Sequence, residues 1–114
     1  MALDLTSLES ALHLEPRHEA ILREILSSTA PNCAVWAFGS RAHGRGLKPF
    51  SDLDLAVLGG ESTPGERSAA LRREFEDSSL PFRVDVLDWV QLDDTFRELI
   101  RLEHVVVQTP RPSP

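Results

Sequence analysis

Apolar residues recur along this chain in two rhythms, one helical and one of strands. From Pro16 onward Ile21, Leu22, Ile25 and Leu26 form an i, i+1, i+4, i+5 stripe that predicts an amphipathic helix, with Arg17, His18, Arg23 and Glu24 left to solvent. Pro16 suits its first turn, where a missing N–H is no loss, and Ser27, Ser28 and Pro31 end it. The short run Cys33 to Phe38 (CAVWAF), bounded by Pro31-Asn32 and Gly39, predicts a buried strand. A second strand is expected from Ser51 to Leu58, closed by Gly59-Gly60, and a helix from about residue 64 to 77 turns Ala69, Ala70 and Phe75 inward. Phe82 to Leu87 alternates as a third strand, with Phe82, Val84 and Val86 on one face and Arg83, Asp85 and Leu87 on the other. A helix near 92 to 102 carries Leu92, Phe96, Leu99, Ile100 and Leu102, with Asp93 and Asp94 in its first turn, where the helix dipole favours them. His104 to Gln108 reads as a last strand. A weaker pattern, Thr6 and Glu9 as a capping box, predicts a short helix over residues 4–14. Residues 1–108 read as one domain, and the tail 109–114 (TPRPSP) as a disordered end.

Composition narrows the class. A chain of 114 residues with 41% hydrophobic and 26% charged content builds one core. A net charge of −6 argues against an extended nucleic-acid surface, which needs a basic face. The single cysteine, Cys33, has no intrachain partner and lies in an apolar run, so a buried thiol is expected. No stretch approaches the roughly 20 apolar residues of a membrane span, and the first ten residues lack the pattern of a signal peptide. The expected location is the cytoplasm.

The candidate chemistry gathers between Phe38 and Leu58, FGSRAHGRGLKPFSDLDLAVL. Asp52 and Asp54 stand one residue apart at the start of a predicted strand, where side chains at i and i+2 share a face. Two like charges near 4 Å cost about 1 to 4 kcal/mol at a partly wet surface, and a divalent cation is the usual reason to tolerate that. A lone D-x-D says little in a chain with eight aspartates, so the setting matters. Gly39 permits a tight turn, and Ser40 is a fair N-cap for a helix start whose free amides favour an anion. Downstream, Asp85 lies in the middle of a predicted strand, where aspartate is disfavoured. Together these parts suit phosphoryl-type transfer with one or two Mg²⁺ ions, the third carboxylate being a general base or a second-metal ligand.

Gly39-Ser40, eleven residues, Asp52-x-Asp54 and a later Asp85 resemble the nucleotidyltransferase fold of the DNA polymerase β superfamily. FGSRAHG and SDLDLAV are similar to the minimal nucleotidyltransferases in particular, over about residues 16 to 108. The resemblance implies an α+β fold: a small mixed sheet of three or four strands with helices packed mainly on one face. It implies Asp52, Asp54 and Asp85 as catalytic metal ligands, Gly39 and Ser40 as the phosphate turn with Arg41 beside it, and Mg²⁺ and ATP as cofactor and substrate. It also implies a small helical HEPN-type partner in a hetero-oligomer, with AMP moved to a tyrosine of that partner and the chain acting as antitoxin. This chain has no tyrosine, which fits an acceptor elsewhere. Two other readings remain open: a binding subunit that neutralises its partner by contact, and transfer to a small molecule such as an aminoglycoside.

Plainer readings hold for the other residues. Asp88, beside Trp89, reads as a turn residue, His18 as a solvated helix residue and His43 as loop surface. Arg41, Arg45 and Lys48 read equally well as loop solubility and as phosphate contacts. Gly39 to Gly46 imitates a phosphate-loop spacing, but Arg45 and Gly46 stand where Lys and Ser/Thr are required. No His/Cys cluster has zinc spacing.

Overall fold

The structure, a computed structural model, describes residues 11–60 and 64–111. Its elements in chain order are α1 (Pro16–Thr29), β1 (Cys33–Phe38), α2 (Ser40–His43), β2 (Leu53–Gly59), α3 (Pro64–Glu76), β3 (Val84–Asp88), a 3₁₀ turn (Trp89–Gln91), α4 (Asp94–Leu102) and β4 (Val105–Gln108). The strands form one mixed sheet in the order β3-β2-β1-β4, with β1 antiparallel to both neighbours and β2 parallel to β3. This is the expected α+β architecture, with four strands. The helix expected over 4–14 lies largely outside the described residues, and its described end, residues 11–14, is a bend with Leu12 buried.

Alternation along the strands separates two faces. Cys33, Val35 and Ala37 of β1, Leu53, Leu55 and Val57 of β2, and Val86 of β3 join Leu22 and Leu26 of α1 and Leu71 and Phe75 of α3 in one core. Each of those fully enclosed leucines contributes about 2 kcal/mol of transfer free energy. The opposite face carries cross-strand rows that follow from the register: Phe38–Asp54–Asp85, and Val106–Trp36–Ala56–Leu87.

Handedness decides what covers this second face. β2 and β4 both run antiparallel to β1, so β3 and β4 are parallel, and the connection between them passes over two strands. The β2–α3–β3 connection crosses the sheet in the opposite direction. Parallel crossovers are right-handed, so α3 and α4 must lie on opposite faces. They do: α3 closes the core, whereas Phe96 of α4 stands edge-on to Phe38 with ring centroids 5.7 Å apart. Trp36, on the same face, is stacked on His104 at 4.1 Å and edge-on to Trp89 at 5.3 Å.

Several boundaries differ from the sequence expectation. β2 starts at Leu53 rather than Ser51 because its ladder starts where β3 can meet it, with Leu53 N donating to Arg83 O at 2.9 Å. β3 extends through Asp88, which is a strand residue and not a turn. Its carboxylate is buried and pairs with the equally buried Arg67 of α3, Nε to Oδ1 at 2.6 Å, while Arg67 also donates to Gly59 O. Val84, Val86 and Asp88 share one parity, so Asp88 faces the helices, and an arginine of the first turn of α3 meets it there. His18 is half-buried, edge-on to Phe82 at 5.7 Å, rather than solvated. Cys33 is buried as expected, and burial pushes its thiol pKa up. In the tail, Arg111 N donates to Pro31 O at 2.9 Å. Among the described residues no helix is long and apolar enough to cross a membrane.

Candidate functional site

The site is the Phe38–Asp54–Asp85 row together with the loop that precedes β2. Asp54 lies directly opposite Phe38 on one side and Asp85 on the other, and Asp52 is two residues before it, at the strand's mouth. Asp52 is exposed, while Asp54 and Asp85 are half-buried. Burial, then the charges of Asp85 and Asp52, push the Asp54 pKa up to about 6, and the Arg83 guanidinium opposes them. Asp54 therefore feels both other aspartates, as their placement on one face requires.

The carboxylates share a face without closing into a ligand cage. Arg83 Nε donates to Asp85 Oδ1 at 2.9 Å and holds that side chain in an ion pair. Among the described residues no group of three or more His, Cys, Asp or Glu is arranged to hold a metal. The donor set still fits Mg²⁺, which keeps several waters and needs only one or two carboxylates plus substrate phosphates. Asp52 and Asp54 are the residues that would hold it, with Asp85 available once it leaves Arg83.

Gly39 makes the turn that brings the chain against Asp54. Its φ is +80°, and a Cβ there would stand 2.6 Å from Asp54 Oδ2. Only glycine takes this conformation without strain and leaves that carboxylate oxygen clear. Gly39, not Ser40, is the N-cap of α2; Ser40 is its first residue. A second tight turn follows at Gly44 (φ +81°), where a Cβ would meet the His13 ring at 2.8 Å.

Arg41 does not point at the site. It is buried, and its guanidinium donates to Ser51 O at 2.9 Å, Pro49 O at 2.9 Å and His13 O at 3.0 Å while lying over the Phe82 ring at 4.2 Å. The planar fork satisfies carbonyls of the loop that delivers Asp52, which a lysine's point charge would not. Lys48 N donating to Ser51 Oγ at 2.8 Å closes the same loop. Sequence reasoning missed this role because two of the carbonyls lie in the loop 8 and 10 residues further on and the third, His13 O, lies 28 residues back in a separate segment. Arg45 is engaged with Glu103 at 2.6 and 3.0 Å, tying the loop to the end of α4, while Lys48 is exposed and takes part in no ion pair among the described residues. His43 is half-buried and accepts from Arg45 N at Nδ1.

Comparison with known proteins identifies the family and the fold. Residues 21–111 match the family described as "Polymerase beta, Nucleotidyltransferase". The probable protein adenylyltransferase MntA of Haemophilus influenzae is 42% identical over 97 residues, which is 85% of this chain and 84% of that protein. Among solved structures, a toxin–antitoxin crystallised with AMP-PNP superposes with a TM-score of 0.66 at 20% identity, over 82% of this chain and 74% of that one. The toxin–antitoxin MntA-HepT gives 0.54 at 16% identity, over 83% and 73%. At such identities the two structures speak for the fold.

Proposed function

The chain belongs to the polymerase beta nucleotidyltransferase family, and from that premise we propose that it moves AMP from Mg²⁺-bound ATP to a tyrosine hydroxyl of a HEPN-type partner, as the antitoxin of a toxin–antitoxin pair. One observation carries the reading: Asp54, raised to a pKa of about 6 by burial and by Asp85 and Asp52, sits under a turn at Gly39 that leaves its Oδ2 clear. The 42% identity to a probable protein adenylyltransferase supports AMP as the group and a protein as the acceptor. The likeness to a toxin–antitoxin crystallised with AMP-PNP and to MntA-HepT supports the nucleotide and the partner.

In this reading the acceptor oxygen attacks the α-phosphorus, a new P–O bond forms, and the bond to the β-phosphate oxygen breaks, releasing pyrophosphate. A bound divalent cation supplies charge neutralisation at the phosphate oxygens. Asp52 and Asp54 hold the negative potential that positions it. Asp85 takes the hydroxyl proton once its ion pair with Arg83 is released, which is the work of a general base. Gly39 and Ser40 line the phosphates with backbone, and Arg41 keeps Asp52 in place from behind by fixing the loop carbonyls. Positioning of this kind, rather than covalent chemistry by the protein, is what phosphoryl transfer demands.

The test is label transfer from α-labelled ATP to a purified HEPN-type protein with Mg²⁺ present. Asp54→Asn is expected to lower transfer by at least about a hundredfold while the protein remains folded. Transfer by that variant at the wild-type level would overturn the reading. Neutralisation of the partner by contact alone is the second reading. The exposed leucines of α4 favour it, and undiminished neutralisation by Asp54→Asn would select it.

A further inference from the structure

The apolar pattern of α4 is not spent on the core. Of its residues Ile100 is buried, whereas Leu99 is 61% exposed, Leu102 75% and Phe96 36%. Val90 of the 3₁₀ turn and Val106 of β4 are also exposed, so five of the six large apolar side chains left in solvent among the described residues fall between residues 90 and 106. Isolated exposed leucines need no explanation, but a concentration in one segment does. The rim is polar and already satisfied: Arg101 pairs with Glu98 at 3.3 Å, and Arg45 with Glu103 at 2.6 Å. An apolar centre within a ring of self-paired charges is the anatomy of a protein–protein interface.

Its position says what docks there. Phe96, at one end of the stripe, packs on Phe38, and Phe38 is the cross-strand partner of Asp54. A protein seated on Phe96, Leu99 and Leu102 is therefore carried to the rim of the carboxylate site. A second copy seated there would offer no tyrosine to the site.

We propose that the α4 stripe Phe96–Leu99–Leu102 is the docking surface for the acceptor protein, a HEPN-type partner whose hydroxyl it aligns with Asp54. The inference rests on the AMP-transfer reading for the choice of occupant. Leu99 and Leu102 are positioning residues: they touch the acceptor protein and not the reacting atoms.

The experiment measures two things on the full chain with a purified HEPN-type protein: its binding by calorimetry, and AMP transfer as its concentration is varied. Leu99→Glu and Leu102→Glu are each expected to weaken binding about 30-fold, the effect of removing a central apolar anchor. The KM for the partner should rise by a similar factor, with kcat at saturating partner unchanged. Glu74→Lys, on the exposed side of α3, should change neither. Melting temperatures should match the wild type, because both leucines face water. Unchanged binding by both variants overturns the inference and leaves the AMP-transfer reading standing. Partner binding that needs the leucines but brings no AMP transfer in the wild type has the reverse meaning. A fall in melting temperature would show that the chain itself covers the stripe. A wild-type homodimer dissolved by Leu99→Glu would assign the surface to a second copy. Either of these results overturns the proposal.

Discussion

Neutralising Asp54 should stabilise the metal-free protein at neutral pH while removing its activity. Its folded-state pKa of about 6 lies above the ordinary 3.8, so the folded protein holds this proton more tightly than the unfolded chain. The sign follows from linkage. Below about pH 4 the group is protonated in both states and costs nothing. Between about 4 and 6 the folded state binds more protons, so stability falls as pH rises. Above about 6 the full cost of a half-buried carboxylate beside two others is present. For an enclosed group that gap would be worth about 3 kcal/mol, at 1.36 kcal/mol per pKa unit. Asp54 is half-buried, and solvent screening reduces the figure to about 1 to 1.5 kcal/mol. Asp54→Asn should therefore melt roughly 4 to 8 °C above the wild type at pH 7.5 in EDTA. At pH 4 the two curves should coincide. Mg²⁺ with a non-hydrolysable ATP analogue should raise the wild-type melting temperature by mass action and the variant's far less. A variant that melts at or below the wild type at pH 7.5, or gains equally at both pH values, would refute the electrostatic account of the site.

Two further outcomes follow from the packing. Gly39→Ala places a methyl group 2.6 Å from Asp54 Oδ2 at a φ of +80°; it should cost about 1 to 2 kcal/mol in chemical denaturation and reduce AMP transfer at least tenfold, since the carboxylate must move. Arg67→Met strands the buried Asp88 carboxylate, whose Oδ2 already has no partner; it should cost about 3 to 5 kcal/mol in urea unfolding, and adding Asp88→Leu should recover most of that loss.

Local pattern alone determined much of this protein. The helical stripe of α1 and the alternation of β2 and β3 follow from periods of 3.6 and 2, which depend only on neighbouring residues, and β1 from a short apolar run between turn residues. The same arithmetic put Asp52 and Asp54 on one face opposite Leu53, Leu55 and Val57, and Asp85 opposite Val84 and Val86. The glycine required at position 39 was legible as a turn, though its second reason, the clearance of Asp54 Oδ2, appears only once β1 and β2 are paired. Tertiary structure decided the rest. Asp54 and Asp85 meet because β2 and β3 pair in parallel at one register, and no local rule sets that register. Arg41, a candidate for phosphate contact by its position, is instead consumed by carbonyls of residues 13, 49 and 51, which only folding brings together. Arg67 and Asp88 look like surface residues in a helix and at a strand end, until the α3 crossover buries both. The apolar stripe of α4 reads like a core stripe. The opposed directions of the two parallel crossovers carry it to the other side of the sheet, where the site and the solvent are.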